Sequence, residues 1–124
     1  NETVSVSGNQ TETVSMAKAE TIGLAKALSV GAAYQVSVGA AMNTTVGLSM
    51  SEQVGITKSV MVGKDFTLEA GSSITLKTGD SVLVMKSDGT VTLNGKDISV
   101  KGTGDIQVEA SGNIVNKAST IHHN

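Results

Sequence analysis

Two histidines, His122 and His123, are the only imidazoles of the chain, and they stand side by side near its end. Imidazole nitrogen is a good ligand for divalent metals. Adjacent residues of an extended chain point to opposite faces, so at most one of the pair could serve a shared site. A solvated terminus is the simpler expectation. His122 and His123 are therefore the one place where a tip metal would sit, and none is expected. The many serines invite a hydrolase reading, but a nucleophile needs a base within hydrogen-bond reach, and nothing places a histidine near any of them. No G-x-S-x-G occurs, and GTGDIQ (102–107) is not a dinucleotide loop. The expectation is a protein that is not an enzyme and holds no cofactor. Glu20, Lys26, Glu52 and Lys58 fall on the same even-numbered set as the apolar residues. They could face the lumen as paired ions, but unpaired buried charge is costly, so corners, where side chains escape to water, are the preferred seats.

The elements that would position these residues follow from a period of two. Between residues 4 and 84 the larger apolar side chains occupy even positions, among them Ile22, Val30, Val36, Val38, Val46, Leu48, Val54, Val60, Val62, Leu68, Ile74, Leu76, Val82 and Val84. Odd positions hold Ser, Thr, Gly, Ala, Asn, Gln and some charge, with Met61 and Leu83 as the exceptions. Alternation of this length means extended chain with one dry face, and the β-branched richness agrees. The fold class expected is all-β.

A period of eight lies on top. Gly23, Gly31, Gly39, Gly47, Gly55, Gly63, Gly71 and Gly79 follow one another at that spacing, and Gly95 returns to the same phase. Glycine at a fixed offset marks a backbone position that needs positive φ or close approach, hence a corner. Each octad is then one short strand plus one bend, and an even repeat returns the same face inward. ETVSMAK (12–18), ETIGLAK (20–26), TTVGLSM (44–50) and EQVGITK (52–58) align without gaps, the mark of a solenoid. The division expected is a regular octad β-helix over 1–85, a β-helix with a register slip at 87–97 within 86–112, and a C-terminal tip over 113–124. Asp88-Gly89 has the chemistry of a bulged or hairpin-like corner that absorbs one extra residue. Ile98, Val100, Ile106 and Val108 resume the apolar pairs after it. Ile114, Val115, Ile121, His122 and His123 lie nearest any docking surface.

One octad offers about two large aliphatics, each worth ~1.5–3 kcal/mol when fully buried. Ordering eight residues costs ~8–16 kcal/mol in backbone entropy. Single octads therefore cannot stand, and stacking has to cover the dry face. Two closures satisfy the geometry: one chain winding three octads per turn, or three chains each supplying one side of every layer. Periodicity does not separate them. The near-absence of aromatics (one Phe, one Tyr) and the single small-residue corner per octad favour the thin trimer, an elongated triple-stranded β-helix or β-prism of three intertwined chains. Closed symmetry would also remove the free side edges.

The octads of 12–63 and the block GKDFTLEAGSSITLKTGDSVLVMKSDGTVTLNGKDISVKGTGDIQVEASG (63–112) resemble the C-terminal β-helical needle of VgrG proteins, the spikes of type VI secretion systems, similar to the cell-puncturing spikes of contractile-tailed phages. The resemblance covers essentially the whole chain. It implies a homotrimer carried on secretion-tube proteins through N-terminal base domains that this sequence does not contain, which fits a fragment of a longer protein. It also implies a PAAR-type tip protein or effector at the C-terminal end and a target-cell envelope to be pierced. Such a spike is assembled in the bacterial cytoplasm and delivered by the type VI system outside or into the target cell. Some phage spikes end in a His-x-His iron site, whereas this chain ends IHHN.

Composition narrows the remaining classes. A net charge of −2 gives no electrostatic case for nucleic acid, and the absence of cysteine excludes disulfides and thiolate metal sites. A membrane β-barrel would carry aromatic girdles. The alternative of another class is a monomeric β-solenoid binding module for carbohydrate or ice, with a flat Ser/Thr face. Strict Thr-x-Thr regularity would mark it, and the outward residues here are more mixed.

Overall fold

The computed structural model describes all residues 1–124, and it is all-β with no helix. The chain divides into two units, Asn1–Gln53 and Val54–Asn124. In the first unit the backbone bends at 7–8, 15–16, 23–24, 31–32, 39–40 and 47–48, with extended segments between. The glycine period is thus a bend period. Ser15-Met16 makes one of these corners without any glycine. Positive φ, one of the two reasons expected for the corner glycines, is found among them only at Gly79. Nor does any atom of the chain lie within 4 Å of a Cβ built on Gly23, Gly31, Gly39 or Gly47.

Side-chain coverage repeats with the same period. The residue just before each corner in this unit, Val6, Val14, Ile22, Val30, Val38 and Val46, is about half covered by its own neighbours. The second corner residue is bare wherever it is large, as at Met16, Leu24 and Leu48. Val46 retains 49% of its accessible surface and Leu48 retains 101%. Leu48 therefore differs from the rest of the set that the alternation groups as a shared core. No residue of the chain is buried. A dry face with nothing on it is the form that an unfinished interface takes.

The second unit opens with the same bends, at 55–56, 63–64 and 71–72. The chain then folds back on itself. Strands β1 (Ser73–Thr78), β2 (Ser81–Lys86) and β3 (Val91–Asn94) form an antiparallel meander in the order β1-β2-β3. The regular octad helix expected through residue 85 thus gives way to two hairpins from residue 73. Both turns have a sequence cause. Gly79, with φ 53°, takes the first central position of the tight Gly79-Asp80 turn, the position where a hairpin wants a residue free to be left-handed. At the second, Gly89 N donates to Lys86 O at 3.1 Å, Gly89 has φ 91°, and Lys86 N donates to Thr90 O at 3.0 Å. This is a type I turn followed by a glycine bulge, the bulged corner expected at Asp88-Gly89. Nine residues separate bend residue 87 from 96, and seven separate 96 from 103. The bulge therefore absorbs the register slip that the sequence shows. Thr90 N also donates to Asp88 Oδ1 at 2.9 Å, which holds the Asp88 carboxyl below the usual carboxylate range.

The tight turn also divides the expected core residues between two faces. A two-residue hairpin pairs even with odd: Ile74 faces Met85, Leu76 faces Leu83, and β3 adds Val91 beside Met85 and Leu93 beside Leu83. Cross-strand partners share a face. One face is therefore Ile74, Leu76, Leu83, Met85, Val91 and Leu93. Val82 and Val84, expected with Ile74 and Leu76, lie on the other face with Lys77, Thr75, Asn94 and Thr92. Leu83, the exception to the alternation, is a central member of the apolar face.

Outside this meander and its turns, no backbone–backbone hydrogen bond closes within the chain. Ser72 marks the boundary: its carbonyl accepts from Ser87 N at 2.9 Å and extends the β1–β2 ladder by one rung. A chain winding alone would pair strands three octads apart, and residues 1–71 contain no such pairing.

Candidate functional site

Charge on the even face is organised around the corners. Glu12 and Lys18 stand on either side of the bend at 15–16, and Lys18 Nζ lies 2.7 Å from Glu12 Oε1. Glu20 and Lys26 repeat this around the bend at 23–24, at 2.6 Å. The expectation that Glu20, Lys26, Glu52 and Lys58 occupy corners is corrected. All four lie in the straight segments, the acid three residues before and the base two residues after the bends at 23–24 and 55–56. At 15–16 and 23–24 the bend brings its flanking segments together, so Glu12 meets Lys18 and Glu20 meets Lys26 across the corner.

The four charges of these two pairs also act along the chain. The hydrogen bond and charge of Glu12 raise the Lys18 ammonium above its usual value, with the Glu20 charge adding to it. The Lys26 hydrogen bond and charge lower the Glu20 carboxyl, and Lys18 contributes. Glu12, Lys18, Glu20 and Lys26 thus form an alternating run of sign. All four are exposed in the single chain, where water screens such pairs strongly. The Glu12–Lys18 pair was not singled out from the sequence. ETVSMAK aligns with ETIGLAK residue for residue, and the acid-to-base spacing common to both was the signal.

At the C-terminal end, Val115, Ile121 and His123 line an open depression of about 820 Å³ together with Ile98, Asn116, Lys117, Ala118 and Thr120. Of the residues expected to face a docking partner, Ile114 and His122 are not on its wall, while Ile98, expected in the shaft, is. A second depression, of about 530 Å³, runs beside the β1–β2 hairpin and includes Leu76, Val82, Leu83 and Leu93. Nowhere do three or more His, Asp or Glu side chains gather as a metal would need. No helix is long and apolar enough to cross a membrane. The chain matches no known protein-family model and no curated protein.

Proposed function

We propose that this chain is the shaft of a homotrimeric spike, a rigid needle of the kind that type VI secretion machines drive through a neighbouring cell envelope. The observation that carries the reading is the state of residues 1–71. They bend every eight residues, present a half-covered apolar face, and have no backbone partner within their own chain. Extended backbone of this kind is satisfied by strands from other copies, and three copies closing around the apolar face form a triple-stranded β-helix. The single-chain solenoid, the alternative binding module, requires ladders between its own octads, which these residues lack.

In this reading the function is mechanical. The shaft transmits axial force because it cannot bend without breaking many ladders at once. The C-terminal depression around Val115, Ile121 and His123 receives the PAAR-type tip or effector, and secretion-tube proteins hold the opposite end through further domains. The likeness of the block at 63–112 to VgrG needles supports the assignment to this machine. Solution scattering tests it. The expected result is the mass of three chains and a maximum dimension above about 43 Å, the length of the nine octads of residues 1–71 alone at ~4.8 Å each. The mass of one chain would refute the needle and its mechanical role together.

A further inference from the structure

The corner pairs solve a problem that the octad repeat creates. A face of valines with glycine corners at a fixed period looks the same after a shift of one octad, so it specifies alignment between copies weakly. The two seats flanking each corner break this sameness. Most of these pairs are matched in kind, among them Glu12 with Lys18, Glu20 with Lys26, Leu28 with Tyr34, Val36 with Met42, and, in the sequence further on, Glu52 with Lys58 and Val60 with Phe66, while Val4 with Gln10 and Thr44 with Met50 are mixed. In the structure the first two pairs are closed ion pairs on the even-numbered face.

We propose that the Glu/Lys corner pairs are a register key, which selects a second and third copy of this same chain aligned residue for residue. The inference rests on the trimeric reading above. Closed symmetry puts equal-numbered residues at one level around the axis. In register, the Glu20–Lys26 pair of each copy stands at the level of the same pair in the other two, so that the lysine beside each glutamate offsets the like charges around the axis. Slip one copy by an octad, and its Leu28 and Tyr34 face the Glu20 and Lys26 of its neighbours, while its Val60 and Phe66 face Glu52 and Lys58. Ions set against aliphatic side chains keep the partner on their own chain but lose water and any polar neighbour on the other copies, which is costly. A single buried polar residue fixes register in coiled coils by the same physics.

The chain has no cysteine, so one spin label can be placed at Thr45→Cys, off the apolar set. With the charges present, pulsed electron resonance on the assembled protein gives one inter-label distance. With all six seats made apolar (Glu12, Glu20 and Glu52→Leu; Lys18, Lys26 and Lys58→Met), the mass stays that of three chains and the distances split into two or more. The smaller change Glu20→Leu with Lys26→Met, should the larger one aggregate, broadens the distribution in the same sense. A single sharp distance in both variants would overturn the key and assign register to the hairpin region alone. A one-chain mass for the unsubstituted protein would overturn the trimeric reading first, and the two failures are read on different axes.

Discussion

Val46→Asp is expected to disperse the assembly into unfolded single chains, while Leu48→Asp leaves it intact. The two residues are both aliphatic, both even-numbered, and only two positions apart, so composition and alternation treat them alike. The structure separates them. Val46 stands just before the Gly47 corner at the end of an extended segment and is half covered by its own chain, while Leu48 is the second corner residue and fully bare. In the proposed trimer a carboxylate on the shared face would meet its two counterparts around the axis. The effective penalty for burying an ion is several kcal/mol, and three like charges at one level add repulsion to it. At the corner apex the same carboxylate stays in water. Light scattering after each substitution distinguishes them: one chain for Val46→Asp and three for Leu48→Asp. Equal behaviour of the two would contradict the division into face and apex.

Gly89→Val is expected to open the hairpin between β2 and β3 without dispersing the octads of the first unit. Gly89 holds φ 91°, a region that a β-branched residue enters only as an outlier. The cost is about 1–3 kcal/mol, comparable with the gain of several cross-strand pairs at ~0.2–1 kcal/mol each. The β2–β3 ladder comprises only four paired positions, Val82 to Met85 against Asn94 to Val91, so a loss of this size is enough to open it. Asp88→Asn keeps an acceptor for Thr90 N and is expected to leave the turn closed. Amide exchange confined to 81–94 reads both: faster in Gly89→Val, unchanged in Asp88→Asn.

These two substitutions also mark what the sequence makes legible. The all-β class, the eight-residue corners and the bulged turn at Asp88-Gly89 follow from periods and turn chemistry, because bends and hairpins are local. The meander at Ser73–Asn94 is hidden because Ile74 and Leu76 of β1 and Val82 and Val84 of β2 continue the even-numbered apolar pattern of the octads before them. Only the tight turn at Gly79-Asp80 exchanges parity, moving Val82 and Val84 to the face opposite Ile74 and Leu76. The corner ion pairs were half visible. Their residues lie on the apolar set, and the general cost of burying charge argued for corners. In the structure each bend carries the two seats toward each other, so acid and base are satisfied from within the straight segments. Leu48 fell with the core for a related reason: alternation counts residues and does not register that the chain has turned.

The central claim is that the backbone of residues 1–71 finds its hydrogen-bond partners in other copies of the chain. Amide hydrogen exchange on the assembled protein measures this directly, since slow exchange reports hydrogen-bonded, protected backbone. The segments 17–22, 25–30 and 41–46 have no backbone partner within the chain. The account predicts that their amides exchange slowly in a particle of three chains, as slowly as those of β2. Exchange at the rate of an unstructured peptide, or protection in a particle with the mass of one chain, would contradict it.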